Sequence, residues 1–214
     1  MEVDTFLLTV YCVMNALYKA LVATNPPSQC GRRPEMTDSE VLTLTLLAQW
    51  QHNRSERAFL RYARWHWQSY FPRLLSQSAF NRRSWGLWGA LCHLGPTGPI
   101  APRLGVGLPG DMYLGDRGFA GAQWQQHWQQ AYGAQVLTPR DLPTSRTPWL
   151  ARLRQVVERV FQVLDALFGV KFPGARTHWG LLTRLAAKIA ALNIMVHLNY
   201  SENRPALAFM SPFD

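Results

Sequence analysis

Lysines, acidic residues and cysteines are all scarce in this sequence. The lysines are Lys19, Lys171 and Lys188, so arginine supplies almost all of the basic charge. In total, 22 basic residues stand against 13 acidic ones, which gives a net charge of +9. A surface of that sign attracts polyanions, and arginine suits phosphates and base edges better than lysine does. Nucleic acid is therefore the leading candidate partner, with a basic protein that binds no nucleic acid as the alternative.

The three cysteines form an odd set without metal-ligand spacing, which is typical of thiols in a cytosolic protein. The six histidines form no ligand pair, and the sequence has no P-loop, no GxSxG motif and no dinucleotide-binding fingerprint. The apolar opening segment is too short and too interrupted for a signal peptide or a membrane span. These absences predict a cytoplasmic protein that does not associate with membranes.

Apolar residues recur at helical spacing through residues 1–94, which are predicted to form an all-helical region. Serine and threonine residues mark where several of these helices begin, and Thr37 and Glu40 form a capping box. The first predicted helix comprises residues 4–23, and the second runs from the capping box at Thr37 to about residue 51. The third begins at Ser55 and ends near residue 67, and the fourth begins at Ser76 or Ser78 and ends near residue 94. Residues 95–110 are dense in glycine and proline and predict a junction.

The remaining segment, residues 111–214, mixes short strands with longer helices. The predicted elements are a strand at 112–115, a helix at 121–132, a strand at 135–137, a helix at 150–168 closed by Gly169, and a helix at 178–200. The predicted fold is therefore mainly helical, with a helical N-terminal region followed by an α/β segment with few strands.

Arginines cluster along the third and fourth predicted helices, which follow the capping-box helix. Arg57, Arg61 and Arg64 fall at i, i+4 and i+7, which places them on one helical stripe. Arg82 and Arg83 follow, and aromatic residues are interleaved with the cluster: Trp65, Trp67, Tyr70, Trp85 and Trp88. A basic stripe beside aromatic rings suits a phosphate backbone with stacked bases or sugars. The alternative is that the tryptophans belong to the core and the arginines only solvate the outer face.

Two carboxylates stand where a metal ligand is plausible. Asp116 follows a short apolar strand and precedes arginine and glycine, so it either binds a metal or begins a turn. Glu158 lies one position from Val157 on the predicted long helix, at the expected boundary between the apolar stripe and solvent. It either faces a cleft or pairs with Arg154 or Gln162 one turn away.

Several motifs, in order, resemble bacterial insertion-sequence transposases of the DDE type, most closely insertion-sequence family 982. The similar segments are DTFLLTVYCVMNAL, MTDSEVLTLTLLAQW, FLRYARWHWQSYFPRLLSQSAFNRR, YLGDRGFAG, RQVVERVF and ARTHWGLLTRLAAKIAALNIMVHLN. The resemblance implies an RNase H-like core in which Asp116 is the second catalytic aspartate and Glu158 the catalytic glutamate. It also implies two Mg²⁺ or Mn²⁺ ions, held by carboxylates, that promote DNA cleavage and strand transfer.

The sequence departs from that family between Ser84 and Tyr113, where the first catalytic aspartate belongs. The only acid in this interval is Asp111, about 16 Å from Asp116 along an extended strand. Asp165 lies about 10 Å from Glu158 along the helix axis, which leaves Asp141 as the acid best placed to replace the missing ligand. The expectation is a shortened core that lacks strands and is catalytically inactive, and the alternative is a non-catalytic basic DNA-binding fragment. The expected partners are the terminal repeats of the element, with a homodimer or an intact transposase copy.

Overall fold

The computed structural model describes residues 2–24, 34–51, 55–94, 112–115, 118, 121–138, 140–141 and 147–208. Within these residues it has eight helices: α1 Val3–Thr24, α2 Asp38–Trp50, α3 Glu56–His66, α4 Gln77–Gly86, α5 Trp88–Leu94, α6 Ala122–Tyr132, α7 Thr147–Ala166 and α8 His178–Ser201. It also has two strands, β1 Met112–Leu114 and β2 Gln135–Leu137. The chain divides into two compact units: unit 1 comprises residues 1–102 and 163–214, and unit 2 comprises residues 103–162.

Side-chain caps begin the helices where the sequence predicts them. At α2 the Thr37 hydroxyl accepts from the Glu40 amide at 3.2 Å, and the Glu40 carboxylate accepts from the Thr37 amide at 2.6 Å. Ser55 caps α3 and Ser76 caps α4 in the same way, with each hydroxyl accepting from the amide three residues on. Each cap satisfies a backbone donor that the first helical turn leaves without a partner.

The single helix predicted up to residue 94 is wrong, because the structure divides it into α4 and α5 at Leu87. The Leu87 amide is shared between the carbonyls of Arg83 and Ser84, and its backbone leaves the helical region with ψ near 7°. Gly86 and Gly89 flank the break, and glycine disfavours helix by about 1 kcal/mol relative to alanine. Two glycines within four residues therefore weaken the helix at this point.

Unit 1 is a packed set of helices with α2 and α8 at its centre. Positions Val41 to Leu47 of α2 are all buried, so this helix is enclosed on every side. α8 buries residues on most of its circumference. Ala186, Ala187, Ala190 and Ala191 are among them, and their small side chains allow neighbouring helices to pack closely; α2, α4 and α5 contact α8. α1 packs on α2 and α5 through Phe6, Leu7, Val10 and Met14. The core of the described chain lies here.

By length and composition alone, α1 and α8 are long and apolar enough to cross a membrane, contrary to the expectation that the opening segment is too short and too interrupted for a span. Just over half of the apolar window of α8 is buried inside the protein. The apolar composition of α8 therefore has a structural explanation in the helix packing of unit 1. α1 is less enclosed and buries one face.

Unit 2 contains a βαβ arrangement in which α6 connects β1 to β2. The strands pair in parallel, with Tyr113 opposite Val136, and the Gly115 amide extends the pairing to the Leu137 carbonyl at 2.8 Å. Gly133 ends α6 in the left-handed conformation, with φ of 62°, which glycine adopts without a steric penalty. The predicted strand 135–137 and helix 121–132 are confirmed, the helix to within one residue.

None of the described residues of the apolar stripe predicted along the long helix 150–168 is buried where the stripe lies in unit 2. Val157 is 52% exposed and Phe161 62%, whereas Leu164, in unit 1, is buried. The prediction that this stripe is buried around Glu158 is therefore wrong. Periodicity identifies an apolar helix face, but burial requires another element to cover it.

The described chain is mainly helical, which confirms the coarse fold class. The RNase H-like core remains a prediction, as do the segment boundaries 1–94, 95–110 and 111–214. The compact units group the chain differently, because α8 belongs with the N-terminal helices in unit 1. The predicted junction 95–110 lies outside the described residues.

Candidate nucleic-acid interface and candidate metal ligands

The strongest candidate interface is one face of α3. Phe59, Leu60 and Ala63 are buried and fix the inner side of the helix. The opposite side presents Arg57, Arg61 and Arg64, all exposed, together with Trp65, which is 81% exposed. These four residues are called the α3 surface.

The one acid in α3 does not neutralise this surface. The Glu56 carboxylate accepts from Arg184 of α8, at 2.8 Å from Nη2 and 3.2 Å from Nε. Because the Glu56 carboxylate is paired with Arg184, it does not compensate the positive charge of the arginines on the α3 surface. Arg64 also donates to the Leu75 carbonyl at 3.5 Å, a weak contact at the limit of hydrogen bonding.

Some tryptophans of the predicted cluster are core residues, and others are exposed as DNA stacking requires. Trp67 is buried, and its ring packs edge-on against Phe59 and Tyr62, so it is a core residue. Trp88 packs against Trp179 of α8. Trp65 lies beside Arg61 and Arg64 with its ring in solvent, the arrangement that stacking on a base requires.

Arg82 and Arg83 lie on α4 with different surroundings. Arg82 is exposed, whereas Arg83 is half-buried and forms an ion pair with Asp38 at the start of α2. Arg83 also donates to the Met36 carbonyl at 2.7 Å. Both arginines line an open depression of about 480 Å³. Arg83 thus ties α4 to α2, while its role in DNA binding stays a prediction.

Asp38 also accepts a hydrogen bond from the Tyr18 hydroxyl at 2.6 Å. Burial, followed by this hydrogen bond to a carboxylate, raises the pKa of Tyr18 above its usual range. Tyr18 therefore remains a neutral donor, and with Arg83 it joins α1, α2 and α4.

Of the two predicted metal ligands, the structure describes Glu158. Its carboxylate is 57% exposed on α7 and accepts from Arg154 Nε at 3.0 Å, which is the salt-bridge alternative raised by the sequence. Asp116 and Asp111 lie outside the described residues. Among the side chains described, no three of His, Cys, Asp or Glu are grouped closely enough to hold a metal ion. The described part of the chain alone therefore does not fit a metal centre.

The two remaining acids from the sequence argument both have local partners. The Asp141 carboxylate accepts from the Thr138 amide at 2.8 Å and the Thr138 hydroxyl at 2.7 Å, just after β2. The backbone hydrogen bond first, and the hydroxyl second, lower the pKa of Asp141 below its usual value. Asp165 pairs with Lys171 at 2.5 Å.

The sequence interpretation missed a cleft in unit 1 of about 610 Å³. Glu56, Arg184 and Lys188 line it, and Lys188 is only 8% exposed. The signal was present in the sequence, because Lys188 interrupts the apolar run LAAKIAAL of α8. A lysine in such a run is rarely buried without a partner.

One comparison with known proteins identifies a family. The model of a family described as DDE superfamily endonuclease matches residues 86–193, which is half of the chain. No curated protein and no solved structure gives a significant match. The matched range includes both Asp116 and Glu158.

Proposed function

The chain belongs to the DDE superfamily endonucleases, and on that basis we propose that it is an insertion-sequence transposase with an internally shortened catalytic core. The family match over residues 86–193 is the observation that carries this proposal. The proposed subgroup is insertion-sequence family 982, because the sequence motifs resemble that family from the N-terminal segment to α8. The proposed location is the cytoplasm.

The α3 surface supports DNA as the partner. Three arginines at helical spacing contact successive phosphates when a helix lies along a DNA groove or backbone, and Trp65 adds a ring for stacking. Arg82 and Arg83 are proposed as further contacts from α4. The DNA ends proposed as substrate are the terminal repeats of the element.

Asp116 and Glu158 are proposed as the remaining metal ligands. A pair of Mg²⁺ or Mn²⁺ ions supplies charge stabilisation to an in-line displacement at phosphorus when bound. For Glu158 to act as a ligand, its carboxylate must leave Arg154, which costs little because an exposed i,i+4 pair contributes about 0.3–0.5 kcal/mol. The interval from Ser84 to Tyr113, which should hold the first catalytic aspartate, contains Asp111 as its only acid. The set of metal ligands is therefore incomplete.

We expect this chain to be inactive in transposition by itself. Two metal ions need ligands that hold them a few ångströms apart, and two carboxylates without a bridging aspartate do not provide them. The chain then acts as a DNA-binding fragment, alone, as a homodimer or with an intact transposase copy. A non-catalytic DNA-binding protein is therefore the second candidate function, and the exposed α3 surface favours it.

The first test measures duplex DNA binding as a function of salt. Replacing Arg57, Arg61 and Arg64 together by alanine is expected to weaken binding and to reduce the slope of log affinity against log salt by about 0.9 per lost phosphate contact. A variant with Arg140, Arg152 and Arg159 of unit 2 replaced is the control, because it removes the same charge from exposed positions. Equal loss in both variants would mean that net charge, and not the α3 surface, determines binding.

The second test measures cleavage and joining of DNA that carries the ends of the element, with Mg²⁺ or Mn²⁺. We expect no product from the chain alone. Cleavage that is lost on Asp116→Ala would contradict the proposed inactivity, and Asp141→Ala and Asp111→Ala would then identify the replacement ligand. Cleavage that survives both Asp116→Ala and Glu158→Ala would not come from the proposed metal ligands.

A further inference from the structure

The cleft of about 610 Å³ in unit 1 has the size of a ligand site. Its walls come from the end of α2, the start of α3, the segment after α7, and α8. Ligand pockets are typically about 300–1,000 Å³, mostly apolar, with a few polar groups that converge. Here the apolar part includes Phe59, Phe168 and Phe172, and the ring of Phe172 is 86% exposed.

The charges that line the cleft are unbalanced. Arg184 is paired with Glu56, and its Nη1 donates to the Pro173 carbonyl at 2.8 Å. Lys188 has no carboxylate partner among the described residues, and its ammonium donates to the Phe168 carbonyl. An ammonium carries three donors, so two are left for another acceptor. The cleft therefore has a net charge of one positive unit from Glu56, Arg184 and Lys188.

Part of the role of Lys188 is structural. Phe168 follows the last turn of α7, and Gly169, with φ of 58°, reverses the chain there. A cation at this end of a helix satisfies a free carbonyl and interacts favourably with the helix dipole. This role accounts for one hydrogen bond, but it explains neither the remaining donors nor the open volume beside them.

We propose that this cleft binds an oxyanion, a phosphate group in particular, at the ammonium of Lys188. A buried ammonium without a counter-ion is destabilised, and a bound oxyanion supplies both negative charge and acceptors. In keeping with this, burial first and the neighbouring Arg184 second lower the pKa of Lys188. The phosphate is either free or carried by a nucleic-acid strand, and the site does not depend on the α3 surface.

The test is a titration of the folded full chain with inorganic phosphate. Binding is monitored by the NMR chemical shifts of the Gly169 and Gly174 amides, because both residues line the cleft. Sodium chloride at matched ionic strength is the blank. We expect saturable shifts with phosphate, and at least about tenfold weaker binding after Lys188→Met, the usual effect of removing a hydrogen bond from a charged donor. Lys171→Met, which removes an exposed lysine of the same unit, is expected to bind as the wild type does.

Glu56→Gln provides a second variant in case Lys188→Met fails to fold. It removes the only acid among the described residues that line the cleft, so phosphate is expected to bind more tightly. No saturable shift in the wild type overturns the proposal, as does equal binding by the Lys188→Met and Lys171→Met variants or weaker binding after Glu56→Gln. If Lys188→Met lowers the Tm and the wild type binds no phosphate, Lys188 is only a helix cap.

The source of the phosphate is distinguished by adding a short DNA duplex to the same titration. If the site takes a backbone phosphate, DNA displaces inorganic phosphate, and Lys188→Met weakens DNA binding as well. If the site takes a free small molecule, DNA leaves the shifts of Gly169 and Gly174 unchanged. Both results support an oxyanion site.

Discussion

Unit 1 and unit 2 both contain many apolar and aromatic residues, but they bury them to different extents. In unit 1, α2 and α8 are enclosed by neighbouring helices. In the described part of unit 2, the buried residues are Val136 of β2 and the residues that flank this strand, Ala134 and Thr138, and α6 buries none. Its large exposed apolar side chains are Trp124, Tyr132, Trp149, Val156, Val157 and Phe161.

The difference in burial between the two units has a physical cause, which is the number of packed helices and strands available to cover each apolar face. Among the described residues of unit 2 there is a two-stranded parallel sheet with one connecting helix, which offers too little surface to cover a long amphipathic helix. The apolar face of α7 therefore stays in solvent in unit 2, although its periodicity resembles that of a core helix. The proposed loss of core strands would leave such a face uncovered, since a core helix packs its apolar face on a sheet.

The largest expected difference in the free energy of unfolding is between an alanine substitution in the core of unit 1 and one at an exposed apolar residue of unit 2. Leu44 is fully buried in α2, so Leu44→Ala is expected to lower the free energy of unfolding by about 2–5 kcal/mol. Phe161→Ala removes a larger side chain from α7, but because that side chain is 62% exposed the change should stay within about 0.5 kcal/mol. Urea denaturation measures both. A large loss with Phe161→Ala would mean that α7 is covered in solution, and the contrast between the units would fail.

An intermediate effect is expected at the start of α2. Thr37→Ala removes the hydroxyl of the capping box and should lower the free energy of unfolding of unit 1 by about 1 kcal/mol. Thr24→Ala, at the exposed end of α1, is the control and should change it by less than about 0.5 kcal/mol. If the two substitutions have equal effects in thermal denaturation, the cap does not contribute to the stability of unit 1.

The smallest expected effect concerns the turn after β2 in unit 2. Thr138→Val keeps the amide donor but removes the hydroxyl donor to Asp141, so the pKa of Asp141 should rise toward its ordinary value. A carboxyl with a lowered folded pKa stabilises the fold above its unfolded pKa, and this contribution is lost as pH falls through the folded pKa. The variant should therefore lose less stability in acid. NMR titration of Asp141 measures the shift, and an unchanged pKa would show that the hydroxyl contact does not form.

The sequence by itself determined the helices and where most of them begin. Capping by Thr37, Ser55 and Ser76 acts within one turn, so no distant residue was needed to predict it. The order strand, helix, strand over β1, α6 and β2 was also predicted, whereas their parallel pairing came from the structure. The break at Leu87 was missed because flanking glycines weaken a helix without always ending it.

Only the tertiary structure decided which of these residues are buried and which are free to act. Trp65 and Trp67 are two positions apart, yet α3 directs Trp67 into the core and leaves Trp65 in solvent. Glu56 is paired because α8 brings Arg184 to it from 128 positions away, and the fold of unit 1 encloses Lys188. Local sequence sets hydrogen bonds and periodicity within a helix, whereas burial and ion pairing depend on elements that are distant in the sequence.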